Sequence, residues 1–173
     1  MSDPKANSVS TRMRFPAGIE AVWAGLMFYE QIEERPPWFL RLLLPVPIRT
    51  EGRKSEVGDE ARCLYETGWL LKRVTGVERS EPARRYEFVV AEQHLAIGGG
   101  LRLQGGSYVL EAAGPGATTV TLTTNYLGPR LPRWAWRPIE TQVCHVFHRH
   151  LLRAMRRKVI AHGAPQALTP AGR

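Results

Sequence analysis

From Gly58 to Tyr126 the chain alternates between short apolar runs and glycine or proline turns, and one long amphipathic helix follows. That order constrains the fold more than any other feature. Strands joined by tight turns build an antiparallel sheet with one face to bury, and a single long helix is the natural cover. Ala61–Tyr65 and Trp69–Val77 flank Thr67-Gly68, which suits a hairpin or a bulge. Tyr86, Phe88 and Val90 fall on one face of the next strand, opposite Arg85 and Glu87. Leu101–Ala112 reads as a long strand with Tyr108, Leu110 and Ala112 on one face, and Gly105-Gly106 predicts a sharp bend within it. Thr118–Tyr126 is β-branched, with Val120, Leu122, Thr124 and Tyr126 on one face.

The final helix is expected from Ile139 to His162, with Pro138 at its first position, where a missing N–H costs little. One stripe holds Ile139, Val143, Val146, Phe147, Leu151 and Ala154. An adjoining stripe holds His145, His148, Leu152, Met155 and Val159. Two adjoining stripes mean a wide buried face.

Ahead of the strands, Val9–Phe15 predicts a short first strand. Ile19, Val22, Trp23, Leu26 and Met27 recur at helical spacing. Pro36 and Pro37 then break the helix, and Trp38, Phe39, Leu40, Leu42, Leu43 and Leu44 make a dense apolar segment between Glu33 and Pro47. It reads as a cap over the core or a lip at a cavity mouth. The expected fold class is α+β: a curved antiparallel sheet wrapped around a long C-terminal helix, with a short helix and the capping segment after the first strand. The expected boundaries are a disordered N-terminus over 1–8, one domain over 9–162 and a flexible tail over 163–173, a division that suits 173 residues.

The formal charge is +8, from 24 Lys and Arg against 16 Asp and Glu, which favours acidic partners without choosing among them. Cys63 and Cys144 show no metal or disulfide spacing and read as reduced thiols. The polar stretch Met1–Ser10 has no apolar signal core, and no run approaches the roughly 18 apolar residues of a spanning helix. A cytoplasmic location is expected, with peripheral membrane contact left open.

Four stretches carry a family resemblance. They are Phe-Pro-Ala-Gly-Ile-Glu-Ala-Val-Trp (Phe15–Trp23), Val-Gly-Asp-Glu (Val57–Glu60), Tyr-Glu-Thr-Gly-Trp-Leu (Tyr65–Leu70) and Phe-His-Arg-His-Leu-Leu-Arg-Ala-Met-Arg-Arg (Phe147–Arg157). The order of elements and these stretches resemble the START/Bet v 1-like superfamily, the polyketide cyclase/dehydrase and lipid-transport group, over Val9–Val159. The resemblance implies a helix-grip cavity between sheet and last helix, in a group whose members bind lipids, sterols, polyketides, quinones or plant hormones. No catalytic motif of the group falls on residues of this chain, so enzyme status is left open.

The candidate ligand-binding set is Tyr65, Tyr86, Phe88, Gln104, Tyr108, Leu110, Thr124, Tyr126, His145 and His148. Tyrosines on an inward face give apolar area with one polar tip, which orients a mostly apolar guest, and plain core packing explains each of them equally well. Gln104 and Thr124 share the inward faces as polar contacts. His145 and His148 stand three apart on one helix face, either facing the cavity as hydrogen-bond donors or acid–base groups, or simply lying at its wall. Cys144, His145, His148 and His150 have zinc-ligand chemistry, but His150 points about 200° away from His148, and no metal or cofactor is expected. Arg102 and His94 are candidates for an anion at the mouth.

Three functions stay in view: binding, or binding and transport, of a hydrophobic small molecule in an internal cavity; a cyclase/aromatase-like enzyme acting on a polyketide-type substrate; or a basic interaction module for membrane, RNA or protein. The mixtures of rings and cations at Trp38, Phe39, Arg35 and Arg41, and at Trp134, Trp136, Arg130, Arg133 and Arg137, suit anionic headgroups. Nucleic acid is not expected as a partner, since no recognition motif is present.

Overall fold

The computed structural model describes residues 6–28, 47–97, 100–128 and 131–163. The expected capping segment lies almost wholly outside these residues, as do most of the expected N-terminal extension and tail.

The elements run β1 (Asn7–Phe15), α1 (Ile19–Phe28), β2 (Pro47–Gly52), β3 (Glu60–Tyr65), β4 (Gly68–Glu78), β5 (Ala83–His94), β6 (Arg102–Ala112), β7 (Thr118–Leu127) and α2 (Arg133–Gly163). The seven strands form one antiparallel sheet in the order β1-β7-β6-β5-β4-β3-β2. Consecutive strands pair as neighbours except β1, which pairs with β7 across the whole chain. The expected architecture is therefore present: α2 packs against β1 and α1, and the sheet curves around it.

The curvature has local causes. Pairing registers shift between Leu71 and Lys72, between Val74 and Gly76, and between Leu103 and Gly105. Each such bulge adds twist and bends its strand. At Gly105, φ is 153°, and a Cβ there would strike the Phe88 carbonyl oxygen. At Gly106 a Cβ would strike the Thr123 carbonyl oxygen. Only glycine lets β6 pass this close to both neighbours, so the bend expected from Gly105-Gly106 has a steric basis.

Two expectations about α2 are corrected. The helix starts at Arg133, with the Pro132 carbonyl accepting from the N–H groups of Ala135 and Trp136, and Pro138 lies inside it. At the sixth position the proline forfeits the bond to the Trp134 carbonyl and its ring crowds that group, a cost confined to the second turn of a 31-residue helix. Ile139 is exposed rather than part of the buried stripe. Most of both expected stripes faces in, with Val143, Phe147 and Leu151 on the cavity and His148, Leu152, Ala154, Met155 and Val159 buried, and Glu140 and Cys144 join them. β2 was not legible as a strand, because a polar Arg-Thr-Glu-Gly run gives an edge strand little apolar alternation.

The core forms two clusters. One joins Phe15, Val22, Trp23, Leu26, Leu110, Val120, Leu152 and Met155, beneath α1. The other joins Val9, Cys63, Leu70, Leu95, Ile97, Leu101 and Tyr126. Arg84, buried on β5, makes a two-point ion pair with Glu20 of α1, and so ties that helix to the sheet.

Candidate ligand cavity

A cavity of about 190 Å3 opens between the concave face of the sheet and α2. It draws its wall from both core clusters: Leu26, Val74 and Leu122 from one, Cys63, Leu70 and Tyr126 from the other. From α2 come Val143, Cys144, Phe147, His148 and Leu151. A mostly apolar lining with a few polar groups is the usual composition of a small-molecule site.

Of the candidate set, Tyr65, Tyr86, Phe88, Tyr108, Thr124, Tyr126 and His148 line the cavity. Tyr86, Phe88 and Tyr108 form an aromatic wall, with ring centroids 6.3 to 6.4 Å apart. Three candidates lie elsewhere. Gln104 is exposed, because it is the unpaired residue of the Leu103/Gly105 bulge. A bulge reverses which residues face in, so Leu103 takes the inward position that plain alternation assigns to Gln104. Leu110 is fully buried in the cluster under α1, away from the cavity. His145 is half-buried and bonds to Thr11 instead of lining the space. Arg102 is exposed, and His94 stacks on Trp69 beside Glu92, so neither lines the cavity.

The polar centre of the wall is His148, which is 1% exposed. Its Nδ1 lies 2.9 Å from the Thr11 hydroxyl and its Nε2 lies 2.8 Å from the Thr124 hydroxyl. Thr11 also lies 2.8 Å from His145 Nδ1. These contacts form one chain from His145 through Thr11 and His148 to Thr124. With both imidazoles neutral, the three bonds run in one sense: His145 donates to Thr11, Thr11 to His148, and His148 to Thr124, which leaves the Thr124 hydroxyl proton free to donate elsewhere, or each bond runs the other way. Burial, with the neighbouring His145 second, pushes the pKa of His148 down to about 4. Thr11 was not singled out from the sequence. Its signal is a hydroxyl at an inward position between Val9 and Met13.

The remaining titratable groups follow from burial. The Tyr86 phenol is pushed up to about 12, first by burial and then by nearby Cys63 and Asp59. Tyr65 and Tyr126 are raised, again mainly by burial. The Cys144 thiol is pushed up to about 11 by burial and by Glu140. At neutral pH the wall is therefore uncharged at all these positions.

Cations do reach the cavity. Arg49, Lys54 and Lys72 contribute to its lining. Lys72 shares the inward side of β4 with the core residues Leu70 and Val74, and its Nζ stands 4.8 Å from the centroid of the Phe88 ring. Spacing alone could have found it, since Leu70, Lys72 and Val74 alternate by two. Among the described residues no three His, Cys, Asp or Glu side chains gather as metal ligands would. Both ring nitrogens of His148 are already occupied by threonines.

No protein-family model and no curated protein matches the sequence. Solved structures do. A START superfamily protein from Mycobacterium smegmatis aligns with a TM-score of 0.60 at 10% identity, over 90% of this chain and 98% of its own. Zhui aromatase/cyclase from Streptomyces sp. R1128 aligns at 0.59 and 12% identity, over 91% and 96%. The fold is the START/Bet v 1-like helix-grip fold. Norcoclaurine synthase from Thalictrum flavum shares it, at 0.57 and 11% identity over 94% and 99%. The helix-grip architecture accounts for the pairing of β1 with β7 and for α2 crossing the concave face. At these identities the shared fold carries no ligand and no reaction with it.

Proposed function

We propose that the protein binds an apolar small molecule in the cavity between the sheet and α2. The carrying observation is the wall itself: aliphatic and aromatic side chains from six strands and two helices surround a space that packing leaves unfilled. Protein interiors normally close such gaps, since each lost contact costs stability. A guest that restores those contacts gains the same free energy on binding.

The His148 chain favours binding over proton transfer. A pKa of about 4 leaves only about one His148 in a thousand protonated at neutral pH, too few for an effective general acid. Both ring nitrogens are engaged, so His148 reaches a guest only by giving up a threonine. The Thr124 hydroxyl is the polar group offered to the cavity from this side.

The test is a titration with the fluorescent apolar probe aminoanthracene, comparing the native chain with Leu151→Trp. Saturable binding that the larger ring abolishes, with the melting temperature kept, supports a cavity site. Binding that Leu151→Trp leaves unchanged places the probe elsewhere and removes the reading.

The cyclase-type alternative rests on the same face, where the Thr124 hydroxyl lines the cavity with His148 bonded behind it. It predicts that His148→Ala abolishes turnover of a poly-β-keto substrate, and wild-type turnover in that variant removes it.

A further inference from the structure

The charges along the cavity wall are of one sign. Arg49, Lys54 and Lys72 contribute, and no Asp or Glu among the described residues does. All three come from one side, from β2, the segment after it, and β4, which lie next to or one strand from each other at one edge of the sheet. The three differ in how far they are already satisfied. Arg49 is exposed and pairs with Glu51 at 2.5 Å. Lys54 donates to the Leu26 carbonyl at 3.3 Å, beside α1. Lys72 sits between two core residues on the inward side of β4, half-buried, with the Phe88 ring beneath its ammonium. Among the described residues it has no carboxylate partner.

An ammonium held over a ring inside an apolar wall gives up part of its hydration, and a cation–π contact returns only part of that loss. The arginines of β4 and β5 all have a carboxylate: buried Arg84 pairs with Glu20. Arg73 turns outward to Glu60, and Arg85 turns outward to Glu87. Lys72, in register with Leu70 and Val74, therefore stands among the apolar and aromatic side chains of the inward face with no carboxylate beside it among the described residues. Across the cavity the polar groups are neutral, because Thr124 and the neutral His148 carry no charge.

From this asymmetry we infer that the ligand is an apolar molecule bearing one carboxylate, an inference that rests on the binding role proposed above. The carboxylate meets Lys72, with Arg49 and Lys54 adding to the positive field at that side. The apolar body lies against Phe88, Tyr108 and Phe147. A hydroxyl or carbonyl at the far end of the body meets Thr124. Binding replaces the lost hydration of Lys72 with a charge-assisted hydrogen bond in a largely apolar setting, where such bonds are strong.

Calorimetric titration of the full-length chain with three probes of one shape separates charge from shape. The probes are naphthoate, neutral naphthamide and cationic naphthylmethylamine. The expected order is naphthoate tighter than naphthamide by about tenfold or more, with the amine weakest. Lys72→Met brings naphthoate down to the level of naphthamide and leaves naphthamide unchanged. Lys72→Arg keeps the preference. Equal binding of the acid and the amide overturns the carboxylate inference while leaving an apolar binding site standing. Undiminished naphthoate binding by Lys72→Met overturns the role of Lys72. No binding of any probe overturns the inference together with the binding role. If Lys72→Met does not fold, the order of the three probes on the native chain still decides.

Discussion

The Thr11 hydroxyl lies 2.8 Å from Nδ1 of His145 and 2.9 Å from Nδ1 of His148, so one side chain of β1 holds two imidazoles of α2. Thr11 is 7% exposed, and His148 is nearly sealed. Thr11→Val keeps the shape and removes the hydroxyl, leaving His148 Nδ1 buried with no partner. The expected loss of stability is about 1–3 kcal/mol by urea denaturation, with Thr11→Ser recovering most of it. A neutral Thr11→Val variant contradicts a structural role for the chain.

The low pKa of His148 makes stability depend on pH in a defined window. The group is a base whose folded pKa, about 4, lies below its ordinary value of 6.5. The unfolded chain therefore binds a proton first as pH falls. The contribution is fully present above 6.5, declines from there towards 4, and is gone below. Its full size is roughly 2–4 kcal/mol. Unfolding free energies at pH 7 and pH 5 should differ more in the native chain than in His148→Gln. Equal pH slopes would show that His148 titrates normally.

The glycines of β6 should be intolerant where a backbone lies against them. Gly106→Ala drives a Cβ onto the Thr123 carbonyl and towards the Phe88 ring. A loss of about 2 kcal/mol or more is expected in thermal or urea unfolding. Gly18→Ala meets nothing within 4 Å and should change stability by no more than about 0.5 kcal/mol. Similar costs at both positions would contradict the close approach of β6 to β7.

Cys144 reports on the cavity directly. Its thiol is pushed up to about 11 and forms part of the wall. In a Cys63→Ala background, alkylation by a small reagent should be slow at pH 8 and rise about tenfold per pH unit until the pKa is approached, because the thiolate is the nucleophile. A bound apolar probe should slow it further. Fast alkylation at pH 8, indifferent to the probe, would place Cys144 in open solvent.

The elements with strong periodicity were legible in the sequence. Val120, Leu122 and Tyr126 face inward as their alternation requires, and Val22, Trp23 and Leu26 form the buried side of α1. What alternation cannot carry is an inserted residue. The bulge at Leu103/Gly105 moved Gln104 outward, and a bulge is set by pairing with β5 and β7, which no local window contains. The start of α2 was misplaced because Pro138 reads most naturally as a first helical position, whereas the helix begins about a turn and a half earlier and carries the proline inside it. One polar member of the site was hidden for a different reason. Thr11 lies 134 positions from His145, so it reads as ordinary until the fold brings the two together, whereas the spacing of Lys72 with Leu70 and Val74 already carried its inward position.

The central claim is an apolar molecule bound between the sheet and α2. Methyl-resolved NMR of the full-length chain, with and without a saturating apolar probe such as naphthoate, tests it most directly. The predicted result is shift changes concentrated on Leu70, Val74, Leu122, Val143 and Leu151, which line the cavity, with the exposed Leu131 and Ile160 unmoved. Changes confined to Leu131, Ile160 and other surface methyls, or none at saturation, would contradict an internal site.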